Sequence, residues 1–425
     1  MTKFRKTFLL LADICLFYLS LIFTLKIRFW QEFNLEVFCF HFLPFSILYF
    51  LWLISFYIMG LYDLLFLKNL SFFNPQFLGA FGICFLEGVI FFYFLPFFKI
   101  SPKTILIFHL LILFFLIFYC RKILSFLFSI GFQKKIAFWG ETKESQKLAH
   151  FLKENSQLGY KVVSFLDPKK ENFFKKIQKE KIDILILVEN FPFLEKFFSL
   201  KVKFLTLIEA YEIFCQKIPV TLISPLWIRD NLKEKPIYEK TKRIFEFFLA
   251  LFFLFLTLPL WGVIALAIKI EDRGPVFYFQ KRVGKNKKIF QLIKFRSMIV
   301  EAEKEGPKWA DLEDKRVTKV GKILRRLHLD ELPQMINIIR GELSFVGPRP
   351  ERPEFVEKLE KEIPYYNLRH IISPGFTGWA QIKFKYARSV KDSLEKFQYD
   401  LYYLKNRSFL LDLKIIFQTI QLFLK

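Results

Sequence analysis

At 425 residues the chain is long enough for two or three domains, each able to bury a core. Its 53% hydrophobic content, with 59 Phe concentrated in blocks, and its excess of Lys+Arg (64) over Asp+Glu (40) fit an anionic membrane face and phosphorylated substrates. No lysine-rich tail, zinc-finger spacing or aromatic RNA-binding signature supports a nucleic-acid partner, and five scattered cysteines (Cys15, Cys39, Cys84, Cys120, Cys215) without CxxC spacing speak against a disulfide framework or zinc site.

The first block, residues 1–125, holds four apolar segments: Thr7–Leu25, His41–Leu61, Phe77–Phe98 and Ile105–Cys120. Each approaches the roughly 20 residues needed to cross a bilayer's hydrocarbon. Lys3, Arg5 and Lys6 precede the first and no small-residue cleavage site follows it, so it reads as a span rather than a removed signal peptide. Arg121, Lys122, Lys134 and Lys135 follow the last, and an even number of spans with basic ends puts both flanks on the cytoplasmic side. Asp13 and Glu87 lie within spans, where interhelical contacts are the expected use. The spans lack the chain of ionisable residues that a transport path needs.

Between 133 and 225 the pattern changes to strands alternating with helices. Lys134–Gly140, Lys161–Asp167, Lys181–Val188 and Lys201–Leu207 read as strands, and Glu144–Asn155 as an amphipathic helix, which predicts a small parallel α/β sheet. Gly140 ends the first strand as a dinucleotide turn would, but the following ETKES lacks the other glycines, so the domain is Rossmann-like and expected to be empty.

Phe247–Ile268 is again long enough to span, yet cations stand on both sides of it: Lys240, Lys242 and Arg243 before, Lys269, Arg273, Lys281 and Arg282 after. Pro259 near its middle removes a backbone hydrogen bond. A kinked, re-entrant helix over residues 245–270, dipping into one leaflet, satisfies both facts.

Downstream, residues 271–350 are rich in cations. Gln280, Arg282, Lys294 and Arg296 are candidates for a cluster around phosphate oxygens, and Lys315, Arg316, Lys319, Lys322, Arg325 and Arg326 follow. Then come the adjacent acids Asp330 and Glu331, with Pro333 placing the start of a helix close behind them, and the turn Gly347-Pro348-Arg349-Pro350. Acids held ionised beside arginines, with no apolar cover, suit a nucleophile or a metal ligand; the plainer alternative is a capped surface helix with ion pairs. Two carboxylates amid so much positive charge fit phosphoryl transfer, and the absence of GxxxxGK[ST] excludes a P-loop enzyme.

Over Tyr238–Leu424 the ordered blocks GPVFYFQKRVG, LIKFRSM, DKRVTKVGKILRRLHLDELPQMINIIRGELSFVGPRPERPEF, SPGFTGWAQI and EKFQYDLYYLKNRS resemble the bacterial sugar transferases, the polyprenyl-phosphate hexose-1-phosphate transferases. The front of the chain, with GLYD at Gly60–Asp63 and KIPV at Lys217–Val220, resembles that of the large multidomain members. The resemblance implies a helical membrane bundle of about four spans, a degenerate Rossmann-like (CoA-binding-like) α/β domain, and an α/β monotopic catalytic domain over 238–425.

It further implies transfer of sugar 1-phosphate from a UDP-sugar to undecaprenyl phosphate at the cytoplasmic face of a bacterial inner membrane, releasing UMP. By the same resemblance Asp330 is the nucleophile, Glu331 its partner linked to Mg2+, Arg325 and Arg349 essential cations, Asp400 a later acid of the site, and Pro259 the helix breaker. Leu258 stands where the family has serine and Glu246 where it has aspartate, which bears on the helix break rather than the chemistry. Glucose or galactose is the expected sugar. Membrane lipids, polysaccharide-assembly proteins and a second copy of the chain are the other partners considered. The C-terminal stretch Val390–Lys425 suits interfacial or core packing equally. A sugar-nucleotide dehydratase or epimerase would need a glycine-rich NAD loop to go with the YxxxK formed by Tyr238 and Lys242, and none precedes it. A purely structural assembly scaffold would have no need of the Asp330–Glu331 pair.

Overall fold

Four long apolar helices open the chain: α1 (Thr2–Phe29), α2 (Leu35–Ile58), α3 (Pro75–Phe94) and α4 (Lys103–Ile130). The structure, a computed structural model, describes residues 2–94, 103–131, 133–167, 173–189, 202–300, 302, 316–384 and 389–423. The end of the expected Phe77–Phe98 segment lies outside them. In lipid a helix satisfies its own backbone, so side-chain polarity decides how helices associate. Asp13 and Glu87 make the interhelical contacts expected of them: Arg121 Nη2 donates to Asp13 Oδ2 at 2.6 Å, and Ser55 Oγ to Glu87 Oε1 at 2.5 Å. His109 is also wholly buried, with Ser20 Oγ 2.9 Å from Nδ1 and Tyr49 OH 3.0 Å from Nε2. Arg121 corrects the sequence reading. It is not a free flanking cation, because α4 runs on to Ile130 and its guanidinium is buried, bonded to Asp13 and to Leu61 O.

The α/β domain follows as β1 (Lys134–Trp139), α5 (Lys143–Glu154), β2 (Tyr160–Leu166), α6 (Phe173–Glu180), β3 (Ile184–Leu187), β4 (Lys203–Thr206) and α7 (Leu207–Cys215). The four strands pair in parallel in the order β2-β1-β3-β4, over a core that includes Ala137, Trp139, Leu166 and Leu185. Thr142 and Ser145 form the capping box that starts α5. The predicted strands are all present, β3 and β4 shorter than expected, with Lys201 outside the described residues. Gly140 has φ +90°, as the turn requires, and the Glu189 side chain lies 3.1 Å from where a Cβ would stand. This is the end of the strands where the order reverses, and a carboxylate there repels a phosphate.

The chain forms two units, Met1–Cys215 and Gln216–Lys425. The KIPV segment belongs to the second, where Ile218 N donates to Gln398 O at 3.0 Å. That unit begins with α8 (Pro225–Asn231) and α9 (Pro236–Asp272), 37 residues and therefore about 55 Å long at 1.5 Å per residue. The helix does not end at Pro259, which removes one backbone donor within a continuous element. Of its most apolar stretch 17% is buried, and Phe248, Phe252, Phe255 and Leu258 are exposed. Together α1 to α4 and α9 are five helices long and apolar enough to cross a membrane.

A hairpin of β5 (Phe277–Val283) and β6 (Ile289–Phe295) comes next, turning through Asn286 and Lys287 at positive φ. Then follow α10 (Lys319–Arg326), α11 (Gln334–Arg340), β7 (Ser344–Val346), α12 (Pro353–Glu362), β8 (Gly375–Thr377), α13 (Trp379–Lys383), α14 (Val390–Asn406) and α15 (Phe409–Phe423). One core joins Ala250 of α9 to Phe290, Leu292, Met335 and Ile338; a second joins Trp261, Ile264 and Ile268 of the same helix to Phe295 and Leu324. The C-terminal helices do both things foreseen for them. Leu404 and Ile415 pack on Trp379, while Phe409, Leu410 and Ile420 are exposed.

Removing one partner of a buried ion pair leaves an uncompensated charge, at a cost of about 3–5 kcal/mol. Asp13→Ala is therefore expected to cut the yield and lower the melting temperature of the detergent-solubilised protein. The paired replacement Asp13→Leu/Arg121→Leu is expected to restore much of the loss, as read by size-exclusion and thermal scanning.

Candidate active site

Strand alternation places the polar residues of the hairpin on one face. Gln280 and Arg282 are two apart on β5, and Lys294 of β6 lies opposite Tyr278. Facing them, the chain leaves α10 through His328, held at φ +54°, and makes a short 3-10 turn at Leu329–Glu331. Pro333 then caps α11, which begins where its ring predicted. The turn buries both acids, each 7% exposed. Lys294 Nζ and Arg349 Nη2 both reach Glu331 Oε1, each at 2.7 Å.

This burial changes the electrostatics foreseen from sequence, which left the acids uncovered and both ionised. For Glu331, burial favours the neutral form but Arg349 and Lys294 outweigh it, and its carboxyl is held well below the usual range. For Asp330, burial wins and neighbouring Glu331 adds to it, against Lys294 and Arg325, so its carboxyl is pushed up. Burial also lowers the Lys294 ammonium, a shift that Glu331 opposes. Adjacent acids pushed in opposite directions are a usual sign of divided roles.

The other expected residues divide. Arg325 lies beside the pair, its Nε donating to Ser297 Oγ at 2.9 Å. Arg296, expected at the phosphate, is engaged elsewhere: both terminal nitrogens bind Asp272 and its Nε donates to Pro275 O at 2.6 Å. Arg326 is exposed on α10 and does not join the cluster. Gln280 and Arg282 bond to one another, and Arg282 Nη1 donates to Pro350 O at 2.8 Å. They support the loop carrying Arg349 rather than present open donors. Asp400 is 2% exposed and paired with Arg369 at 3.2 Å, behind that loop rather than in the site.

Sequence reasoning missed Arg369, Glu351, Lys396 and Ser297. Glu351 directly follows the Pro-Arg-Pro run, a signal that was available. Arg369 and Lys396 carry no local mark, being brought in from distant positions by α14 and the turn before β8. Lys396 binds Glu351 at 3.0 Å; burial opposes ionisation of Glu351, yet Lys396, Arg369 and Arg282 bring its carboxyl down to about 2. Tyr238 and Lys242, the YxxxK pair, are tied up with Asp412: Tyr238 OH donates to Oδ2 at 2.6 Å and Lys242 Nζ lies 2.9 Å from it. That contact braces α9 against α15.

Among the described residues no group of three or more His, Cys, Asp or Glu side chains forms a metal cage. Mg2+ needs none, since it takes one or two carboxylates together with substrate phosphates and water. Asp330 and Glu331 fit that donor set.

The sequence model of the family described as "Bacterial sugar transferase" matches residues 237–425. Over 191 residues the chain is 44% identical to the UDP-N-acetylgalactosamine-undecaprenyl-phosphate N-acetylgalactosaminephosphotransferase of Aeromonas hydrophila, covering 45% of each chain. Over 183 residues it is 43% identical to the UDP-glucose:undecaprenyl-phosphate glucose-1-phosphate transferase of Escherichia coli (strain K12), covering 42% of this chain and 39% of that one. With the exopolysaccharide production protein ExoY of Sinorhizobium fredii it shares 37% identity over 201 residues, 44% of this chain and 86% of the relative. The chain belongs to the bacterial sugar transferase family. It matches less than half the length of the Aeromonas and Escherichia relatives.

Glu351 supplies a test of the buried charges. Its folded value of about 2 lies below the ordinary glutamate value of 4.5, so its contribution is complete above pH 4.5 and lost as pH falls towards 2. At 1.36 kcal/mol per unit this is roughly 3 kcal/mol. Glu351→Gln is expected to lower the melting temperature at pH 7, with the gap from the parent protein narrowing by pH 3; an equal gap at both values would contradict the pairing.

Proposed function

We propose that the protein transfers sugar 1-phosphate from a UDP-hexose to undecaprenyl phosphate, forming undecaprenyl-diphosphate-sugar and UMP, as the first step in building an exopolysaccharide, capsule or O-antigen. The observation that carries this reading is the split dyad, Glu331 held ionised by two cations and Asp330 less compensated beside it, within the region matched to the family. The Aeromonas and Escherichia relatives are named for this class of reaction, with different sugars. Glucose or galactose remains our reading for the large multidomain type.

In the first step an Asp330 oxygen attacks the phosphorus bonded to the sugar. The bond from that phosphorus to the bridging oxygen breaks, UMP leaves with the electron pair, and an aspartyl-phosphosugar remains. In the second step an oxygen of undecaprenyl phosphate attacks the same phosphorus and the Asp330 carboxylate departs. A carboxylate nucleophile needs no base to activate it. Arg349 and Lys294 offset charge on the diphosphate while keeping Glu331 ionised, and Arg325 flanks the nucleophile. Mg2+, held by Glu331 with Asp330 and the substrate phosphates, would neutralise charge on the diphosphate and the departing UMP. The lipid acceptor keeps its tail in the bilayer, so the dyad works at the cytoplasmic interface, with α9 re-entering the leaflet to hold it there.

The test is UMP release from a panel of UDP-sugars with undecaprenyl phosphate in detergent. Release with one sugar, abolished in Asp330→Asn, is the expected result; wild-type release by that variant would refute the nucleophile. A nucleophile with a raised value loses its charge early as pH falls. Lys294 is the largest influence opposing that rise, so Lys294→Met is expected to move the acid limb of the pH–rate profile to higher pH.

A further inference from the structure

The loop bearing Arg349 contains two prolines, Pro348 and Pro350, and so has few backbone donors of its own. Its carbonyls are bonded four in succession, each from a different place. Gly375 N donates to Pro348 O at 2.9 Å, Arg369 Nη2 to Arg349 O at 2.8 Å, Arg282 Nη1 to Pro350 O at 2.8 Å, and Val283 N to Glu351 O at 3.0 Å. Two of these donors are backbone groups and follow from the fold. The other two are guanidinium groups, which burial makes costly unless they are paired. Arg369, 3% exposed, is the more deeply committed: Asp400 lies 3.2 Å from its Nη2, Tyr366 OH 2.6 Å from its Nη1, and Glu351 3.9 Å away.

From this geometry we propose that Arg369, fixed by Asp400, is a positioning residue for the reaction, acting through Arg349. It binds the backbone of the residue whose side chain reaches Glu331, so the line runs Asp400, Arg369, Arg349 backbone, Arg349 guanidinium, Glu331. Nη2 of the planar fork donates to the carbonyl and faces Asp400, while Nη1 donates to Tyr366 OH and faces Glu351, a geometry that a lysine ammonium does not reproduce. A shift of about 1 Å at a substrate-binding group costs up to about 100-fold in rate. The inference rests on the assignment of Arg349 to the substrate phosphates.

The experiment measures UMP release by the full chain in detergent for Arg369→Lys, Arg349→Gln and the double variant, with kcat and KM separated and folding checked by thermal scanning. Arg369→Lys is expected to fall roughly 10- to 100-fold in kcat/KM alone, and to cause no further loss in the Arg349→Gln background. The same fold loss in both backgrounds, or no loss in the single variant, overturns the proposal. Should Arg369→Lys fail to fold, Asp400→Asn carries the same comparison. Full activity in Arg349→Gln would instead refute the assignment of Arg349, a different failure.

Discussion

A single carboxylate oxygen, Oε1 of Glu331, receives both Lys294 and Arg349, and the rest of the site depends on that. A buried acid stays charged only when partners replace the water it has lost. Two cations on one atom do so for Glu331 and draw in the β6 strand and the Pro-Arg-Pro loop together. The adjacent Asp330 feels the same burial with less compensation and a negative neighbour. One acid becomes a fixed anchor of charge, the other a group whose charge is poorly stabilised.

The membrane helix α9 is tied to both sides of this arrangement. At its C-terminal end Glu271 accepts from Lys319 N at 2.6 Å and Val320 N at 3.1 Å, anchoring the start of α10, while Asp272 binds Arg296 beyond β6. Further back, Glu246 accepts from Ser344 Oγ at 2.6 Å and Phe345 N at 2.9 Å, holding β7. Glu246 thus serves packing of the site. Each contact fixes the elements of the site to an apolar helix.

In the first unit the same rule governs a bundle without evident chemistry. Asp13, Arg121, Ser20 and His109 are all buried polar groups with partners, the pattern expected of helices that use polar contacts to choose neighbours in lipid. Arg5 links this bundle to the α/β domain by donating to Phe128 O and Gln157 O, each at 2.8 Å.

Much of this was legible in the chain of residues. Apolar length marks the helices, strands alternating with helices mark the parallel sheet, and the proline after Asp330 and Glu331 marks the start of α11, because each depends on neighbours within a few positions. The dyad and Arg349 stand in motifs dense enough to read directly. Legibility failed where partner choice depends on residues far apart. Arg296 was diverted to Asp272, Arg282 to Pro350 O, and Arg121 to Asp13, since a cation's role is set by whichever anion the fold brings within about 3 Å. Asp400 moved from the site to its support for the same reason, and burial, with neighbouring Glu331 adding to it, raised Asp330 above the uncovered acid that its neighbours in sequence suggested. Residue order thus establishes which charges are available; distance and burial in the folded chain determine which of them are left to act on a substrate.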